Sequence, residues 1–117
     1  MERGLGRTRV VDFTTGIAGA YCARLLADAG ADVVKVEPPG GDPWRAWSAG
    51  GATVDAEEGS ALFRFLHHGM RSVVGELGDP EIDELLAGAD VVLEGFAADE
   101  FDPRTLLDSH SGLRGAF

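Results

Sequence analysis

A chain of 117 residues, 44% hydrophobic and 26% charged, has room for one domain with a real core. Twenty acids against ten bases give a formal charge of −10, which argues against nucleic acid or an anionic membrane as a general partner. No apolar run approaches the roughly 20 residues of a membrane helix, and no apolar signal region follows the N-terminal arginines.

Arg9–Phe13, "RVVDF", reads as a short strand rich in β-branched residues. The loop Thr14–Gly19 follows, and then a helix to about Ala29. Ala18, Cys22, Leu25, Leu26 and Ala29 recur at helical spacing and define its expected buried face. Cys22 is thereby expected in the core. As the single cysteine it excludes an internal disulfide and any multi-cysteine metal site, and it fits a reducing cytoplasm. Gly30 is the expected C-terminal cap.

Asp32–Glu37, "DVVKVE", is the second strand, stopped by Pro38. From Pro38 to about Glu58 runs a long Gly/Pro/Ala-rich loop with Trp44 and Trp47, a length that suggests a functional loop. Those two rings either stack on a ligand or cover a sheet edge or subunit contact. A helix near Gly59–His67 precedes a short strand at Ser72–Val74. Asp79-Pro80 starts the next helix, with Asp79 as N-cap carboxylate, Ile82, Leu85 and Leu86 as its buried stripe, and Gly88 as its end. Asp90–Glu94 repeats the strand pattern, Asp102-Pro103 opens a short helix through Leu107, and "LRGAF" looks like a fifth strand. Eleven acids fall between Glu76 and Asp108 against the single base Arg104, the pattern of a solvated acidic face.

Strands alternating with helices predict an α/β fold. The expectation is a Rossmann-like parallel sheet of about four to five strands with helices on both faces, in one domain spanning 1–117. Ligands of such sheets bind outside the carboxyl ends of the strands, which points to Thr14–Gly19, Pro38–Arg45, Gly75–Gly78 and Gly95–Ala98. A dinucleotide fingerprint is incomplete: Glu37 stands where the ribose acid would, but the loop offers only Gly16-Ile17-Ala18-Gly19. No P-loop occurs. His67-His68 are adjacent, a spacing that fits a helix terminus better than a metal site. "DSHS", Asp108–Ser111, holds triad residue types, but triad members come from separate elements.

The stretch "VVDFTTGIAGAYCARLLADAGADVVKVEPPGGDPWR" resembles the N-terminal signature of the class III CoA-transferases, a family that includes formyl-CoA transferase and α-methylacyl-CoA racemase. "HHGMRSVVGELGDPE" and "ADVVLEGF" are similar to later landmarks of the same family, in the same order. The resemblance implies coenzyme A or an acyl-CoA as substrate, without a metal. It places the CoA contacts at Ile17, Ala18, Pro38, Gly75, Glu76, Leu77, Gly78, Gly95, Phe96 and Ala97. Arg45 and Arg71 are the cations that survive for the phosphates.

Several family positions differ here. A lysine before the arginine of the K-R-S motif is Met70, the L-K before the next helix is Leu77-Gly78, and the asparagine of E-N-F is Gly95. These losses leave room for weak CoA binding. The family's nucleophilic aspartate lies beyond Phe117, so the resemblance supplies no catalytic residue. Two alternatives stand beside a working transferase half: a racemase of the same family, and a degenerate domain kept for structure or assembly. The resemblance also implies association, either as a homodimer or with the rest of the enzyme.

Overall fold

The computed structural model describes residues 4–99 and 101–117. Arg3, one of the N-terminal arginines, and Glu100, one of the acids of the acidic stretch, lie outside the described residues. The elements in chain order are β1 (Arg9–Asp12), α1 (Ile17–Asp28), β2 (Asp32–Glu37), a 3-10 turn (Pro43–Ala46), α2 (Ala61–Leu66), β3 (Arg71–Val74), α3 (Pro80–Ala87), β4 (Val91–Leu93), α4 (Arg104–Ser109) and β5 (Gly115–Ala116). All strand pairs are parallel, in the order β3-β2-β1-β4-β5. The expected α/β sheet is therefore present with five strands, and the β2 boundaries coincide with the sequence reading.

Side chains alternate across a strand, so each strand supplies both faces. Val11, Phe13, Val36 and Val92 pack with Ile82 and Leu86 of α3, Leu106 of α4 and Leu113. Val10, Val33 and Leu93 face the other way, onto Ala23 of α1 and Ala31. Lys35 and Glu37 share the side of Val33, and Asp12 that of Val10. One face is thus wholly aliphatic and aromatic, while the α1 face carries buried charges toward the carboxyl ends of β1 and β2.

Helix α1 departs from expectation. It buries Ala20 and Ala23, with Leu26 and Ala27 packed beside them, while Ala18, Cys22, Leu25 and Ala29 are exposed. Cys22 is a surface thiol and not a core residue. The reason is close approach. A Cβ at Gly19 would sit 2.3–2.5 Å from Thr14 side-chain atoms, so only small side chains fit between this helix and the sheet. The larger Ile17, Tyr21 and Leu25, at i, i+4 and i+8, are left outside, each about half exposed. An apolar pattern on both sides of a helix cannot say which side meets the sheet.

Helix ends follow local chemistry with one exception. Gly30, at φ +105°, takes the left-handed conformation just past the C-cap Ala29. Ser60 caps α2, its Oγ accepting from the Phe63 amide at 3.0 Å. Asp79 does not cap α3 with its carboxylate: Oδ2 accepts from the Glu76 amide at 2.8 Å and closes the turn before the helix. None of the described acids between Glu76 and Asp108 is buried, which fits the expected solvated face.

Candidate functional site

The strand order runs from β1 toward β2 and β3 on one side and toward β4 and β5 on the other. Chain connections therefore diverge between β1 and β4. In open α/β sheets the crevice outside the carboxyl ends at such a point is the usual ligand site. A cleft of 360 Å³ lies there, lined by Phe13, Thr15, Val36, Pro38, Gly75, Glu76, Leu77, Gly95 and Phe96. Six residues chosen from sequence line this one cavity: Pro38, Gly75, Glu76, Leu77, Gly95 and Phe96. They come from the ends of β2, β3 and β4, loops far apart in the chain.

Local packing explains why these loops take their shapes. At Gly75 a Cβ would fall 2.7 Å from Ile82 Cδ1, so the loop lies directly on the core of α3. Gly78 sits at φ +96°, a left-handed position in the turn that leads to Asp79. A Cβ at Gly95 would meet nothing within 4 Å, so glycine there leaves the cleft open. Phe96 is partly exposed; its ring lies 5.8 Å from Phe13 and 4.9 Å from Phe101, at tilted or edge-on angles.

Ala18 lines a second hollow of 570 Å³ on the other side of Thr15 and Gly95, with Thr14, Gly16, Gly19, Cys22, Leu93, Glu94 and Phe117. Ile17 stands exposed on the first turn of α1. That helix begins at Gly16 with no side-chain cap and no acid in its first turn. Its positive dipole end and free amides are thus available to an anion. Ala97 is exposed beyond Phe96. Gly78 turns away, toward a groove with Asp83, Thr105 and His110.

The two arginines are held elsewhere. Arg45 grips Glu37 through Nε–Oε1 at 2.5 Å and Nη2–Oε2 at 2.8 Å, and lies over the Phe63 ring at 4.3 Å. Burial pushes the Glu37 carboxyl up, but hydrogen bonds from Arg45, Ser72 and the Asp42 amide outweigh it and bring its pKa to about 2. The same ion pair raises Arg45 above its ordinary value. Glu37, at the ribose-acid position of a dinucleotide fold, is thus consumed inside the protein. Arg71 opens β3, at the opposite end of the sheet from the cleft, and binds both Asp32 oxygens at 2.7 and 2.8 Å. No lysine or arginine is among the residues that line the cleft.

A group that the sequence reading passed over is deeply buried. Lys35, the single lysine, is 1% exposed. Its Nζ lies 3.2 Å from Asp42 Oδ2 and 3.6 Å from Asp12 Oδ2, and it donates to the Thr14 carbonyl. A signal for it was present: a lysine between Val34 and Val36 on a strand covered on both faces has no route to water. Trp44, offered above as a ligand platform, donates its indole N–H to the Thr15 carbonyl at 2.8 Å and packs against Trp47 at 5.8 Å. His67 and His110 close α2 and α4, each with Nδ1 near a backbone carbonyl. Among the described residues no group of three or more His, Cys, Asp or Glu side chains could hold a metal ion, and no helix is long and apolar enough to cross a membrane.

Comparison with known proteins agrees with the fold. Residues 5–110 match CoA-transferase family III. Over 94 residues the chain is 46% identical to succinyl-CoA:mesaconate CoA-transferase of Haloarcula hispanica, covering 77% of this chain and 24% of that protein. Over 104 residues it is 40% identical to succinate–glutarate CoA-transferase of Agrobacterium fabrum, covering 81% and 26%. A crystal structure of a CAIB/BAIF family protein from Brucella suis superposes with a TM-score of 0.81 at 30% identity, covering 99% of this chain and 33% of that one. The chain thus spans about a quarter of the length of the curated relatives it matches. It belongs to CoA-transferase family III.

Proposed function

We propose that residues 1–117 act as one unit, the CoA-binding half of a class III CoA-transferase, and receive the nucleotide portion of a CoA thioester. The reaction served is transfer of CoA between an acyl-CoA and a carboxylic acid. The nucleophile comes from protein beyond this sequence, so the chain alone is inactive. The observation that carries this reading is the convergence of Pro38, Gly75, Glu76, Leu77, Gly95 and Phe96 on one cleft where the strand order diverges. Relatives named as CoA-transferases, 46% and 40% identical, support it.

Each wall has a task suited to its chemistry. Phe96, partly exposed beside Phe13, offers an aromatic face to the adenine. In the hollow beside the cleft, the uncapped start of α1 offers backbone N–H groups and a positive dipole end to the pyrophosphate. Gly95, where a Cβ would meet nothing within 4 Å, lets the backbone approach the ligand without a side chain in the way. One observation favours a second reading, a scaffold without CoA activity: the cleft lining includes Glu76 and no base, while Arg45 and Arg71 are bound to Glu37 and Asp32.

Calorimetric titration of CoA into the whole chain separates the two. The CoA-binding reading expects saturable uptake, weakened at least tenfold, about 1.4 kcal/mol, by Gly95→Leu, a side chain that fills the cleft from an open position. Absence of heat from the folded wild-type chain, or equal binding by the variant, sinks it and leaves the scaffold.

A further inference from the structure

The Thr14–Gly16 loop is a wall shared by the cleft and the hollow beside it, and α1 starts from it. Its backbone is held at three consecutive points by three side chains. Asp12 Oδ1 accepts from the Thr14 amide at 2.8 Å and from Thr14 Oγ1 at 2.7 Å. Lys35 donates to the Thr14 carbonyl. Trp44 donates to the Thr15 carbonyl at 2.8 Å. Asp42 joins the second loop to this set. Its Oδ1 accepts from the Trp44 amide at 2.8 Å, and its Oδ2 faces Lys35 with no other hydrogen-bond donor among the described residues.

We propose that Lys35 is a positioning residue for the nucleotide site: buried between Asp12 and Asp42, it ties the Thr14–Gly16 loop to the Pro38–Trp44 loop and so sets where α1 begins. It touches no ligand. The assignment rests on the CoA-binding reading for its purpose, while the geometry stands by itself. Two carboxylates in a site shut off from water need a cation between them. Asp12 and Lys35 are register partners on adjacent strands, so their meeting is set by the sheet. The ammonium also donates to the Thr14 carbonyl from the interior. A methionine of similar length fills the space and supplies neither charge nor donor.

The decisive variant is the double substitution Lys35→Met with Asp42→Asn. The buried group of Lys35, Asp12 and Asp42 has a formal charge of −1, and removing one positive and one negative charge leaves it at −1. The carboxamide introduced by Asp42→Asn keeps an oxygen for the Trp44 amide. The variant therefore isolates the lost donor from the lost charge balance. Amide hydrogen exchange, read residue by residue on the folded chain, is expected to rise at least about tenfold at Thr14, at Ala20, whose amide donates to the Gly16 carbonyl, and at Trp44. At Leu86 in α3 it stays near wild type. CoA affinity is expected to fall in parallel.

A second protein keeps the charge and restores the reach. Lys35→Cys, in a Cys22→Ser background, is aminoethylated while unfolded and then refolded, giving a lysine analogue of nearly equal length. Recovery of both exchange protection and affinity supports positioning. Exchange that rises equally in α3 and in the loop, or a loop unchanged in the double variant, overturns it, as does an analogue that refolds without recovering protection. Should the wild-type chain take up no CoA, the functional reading falls, and the exchange profile still decides the role of Lys35.

Discussion

The two faces of the sheet solve burial in different ways. Under α3 and α4 lies a continuous apolar layer in which Val11, Val36, Ile82, Leu86, Val92 and Leu106 meet without a charge among them. Under α1 the strands supply Val10 and Val33, then switch to Asp12, Lys35 and Glu37 toward their carboxyl ends. Every one of those three is at most 2% exposed. The apolar face gains stability from area alone, and any shape that fills it serves. The charged face gains little net stability, because desolvation offsets the ion pairs. What it provides is direction: each charge has a particular partner, and through Thr14, Asp42 and Arg45 the set reaches the loops that follow β1 and β2. The difference separates the part of the molecule that keeps it folded from the part that aims the loops.

Single substitutions should expose that difference. The largest loss is expected for Lys35→Met alone, about 3–5 kcal/mol in denaturant unfolding, because two buried carboxylates lose their cation. Adding Asp42→Asn should return part of it; a double variant no more stable than the single one would show that charge balance is not what the lysine provides. On the opposite face Leu86→Ala should cost about 2–5 kcal/mol through the cavity it leaves. That loss should leave loop exchange untouched, and a loosened Thr14–Gly16 loop in this variant would erase the distinction between the faces. Gly75→Ala should cost about 1–3 kcal/mol, since its new methyl meets a fully buried Ile82.

Acid should act on the charged face through Glu37. The folded-state pKa of Glu37 lies at about 2, below its ordinary 4.5. Its contribution is therefore complete above 4.5 and disappears as pH falls from 4.5 to about 2. The thermal midpoint should drop across that window in the wild type and drop less in Glu37→Gln. An identical pH profile in the two proteins would remove Glu37 from the account. The smallest effect is expected for Arg71→Ala. Its pair with Asp32 is largely exposed and lies far from the cleft, so stability should change by less than about 1 kcal/mol and CoA affinity should stay the same. A clear loss of affinity would put the phosphates near the amino ends of the strands, against the geometry.

Much of this was legible in the sequence, because it rests on local rules. Apolar runs bounded by Gly and Pro define parallel strands such as Asp32–Glu37, whose limits the structure repeats. Strand–helix alternation implies a sheet covered on both sides, and loops after strand ends point to the cleft without coordinates. Family resemblance selected Pro38, Gly75, Glu76, Leu77, Gly95 and Phe96, which the fold brings together. Only the tertiary structure decided which side of α1 meets the sheet, since that depends on the clearance at Gly19 and not on hydrophobicity. It also decided the fate of the charges. Arg45, Arg71, Glu37 and Lys35 are all cations or carboxylates to a sequence reader, equally available to a ligand. Whether each is free or spent depends on which partner the sheet register and loop closure put within roughly 3 Å of it, a long-range fact that no local pattern contains.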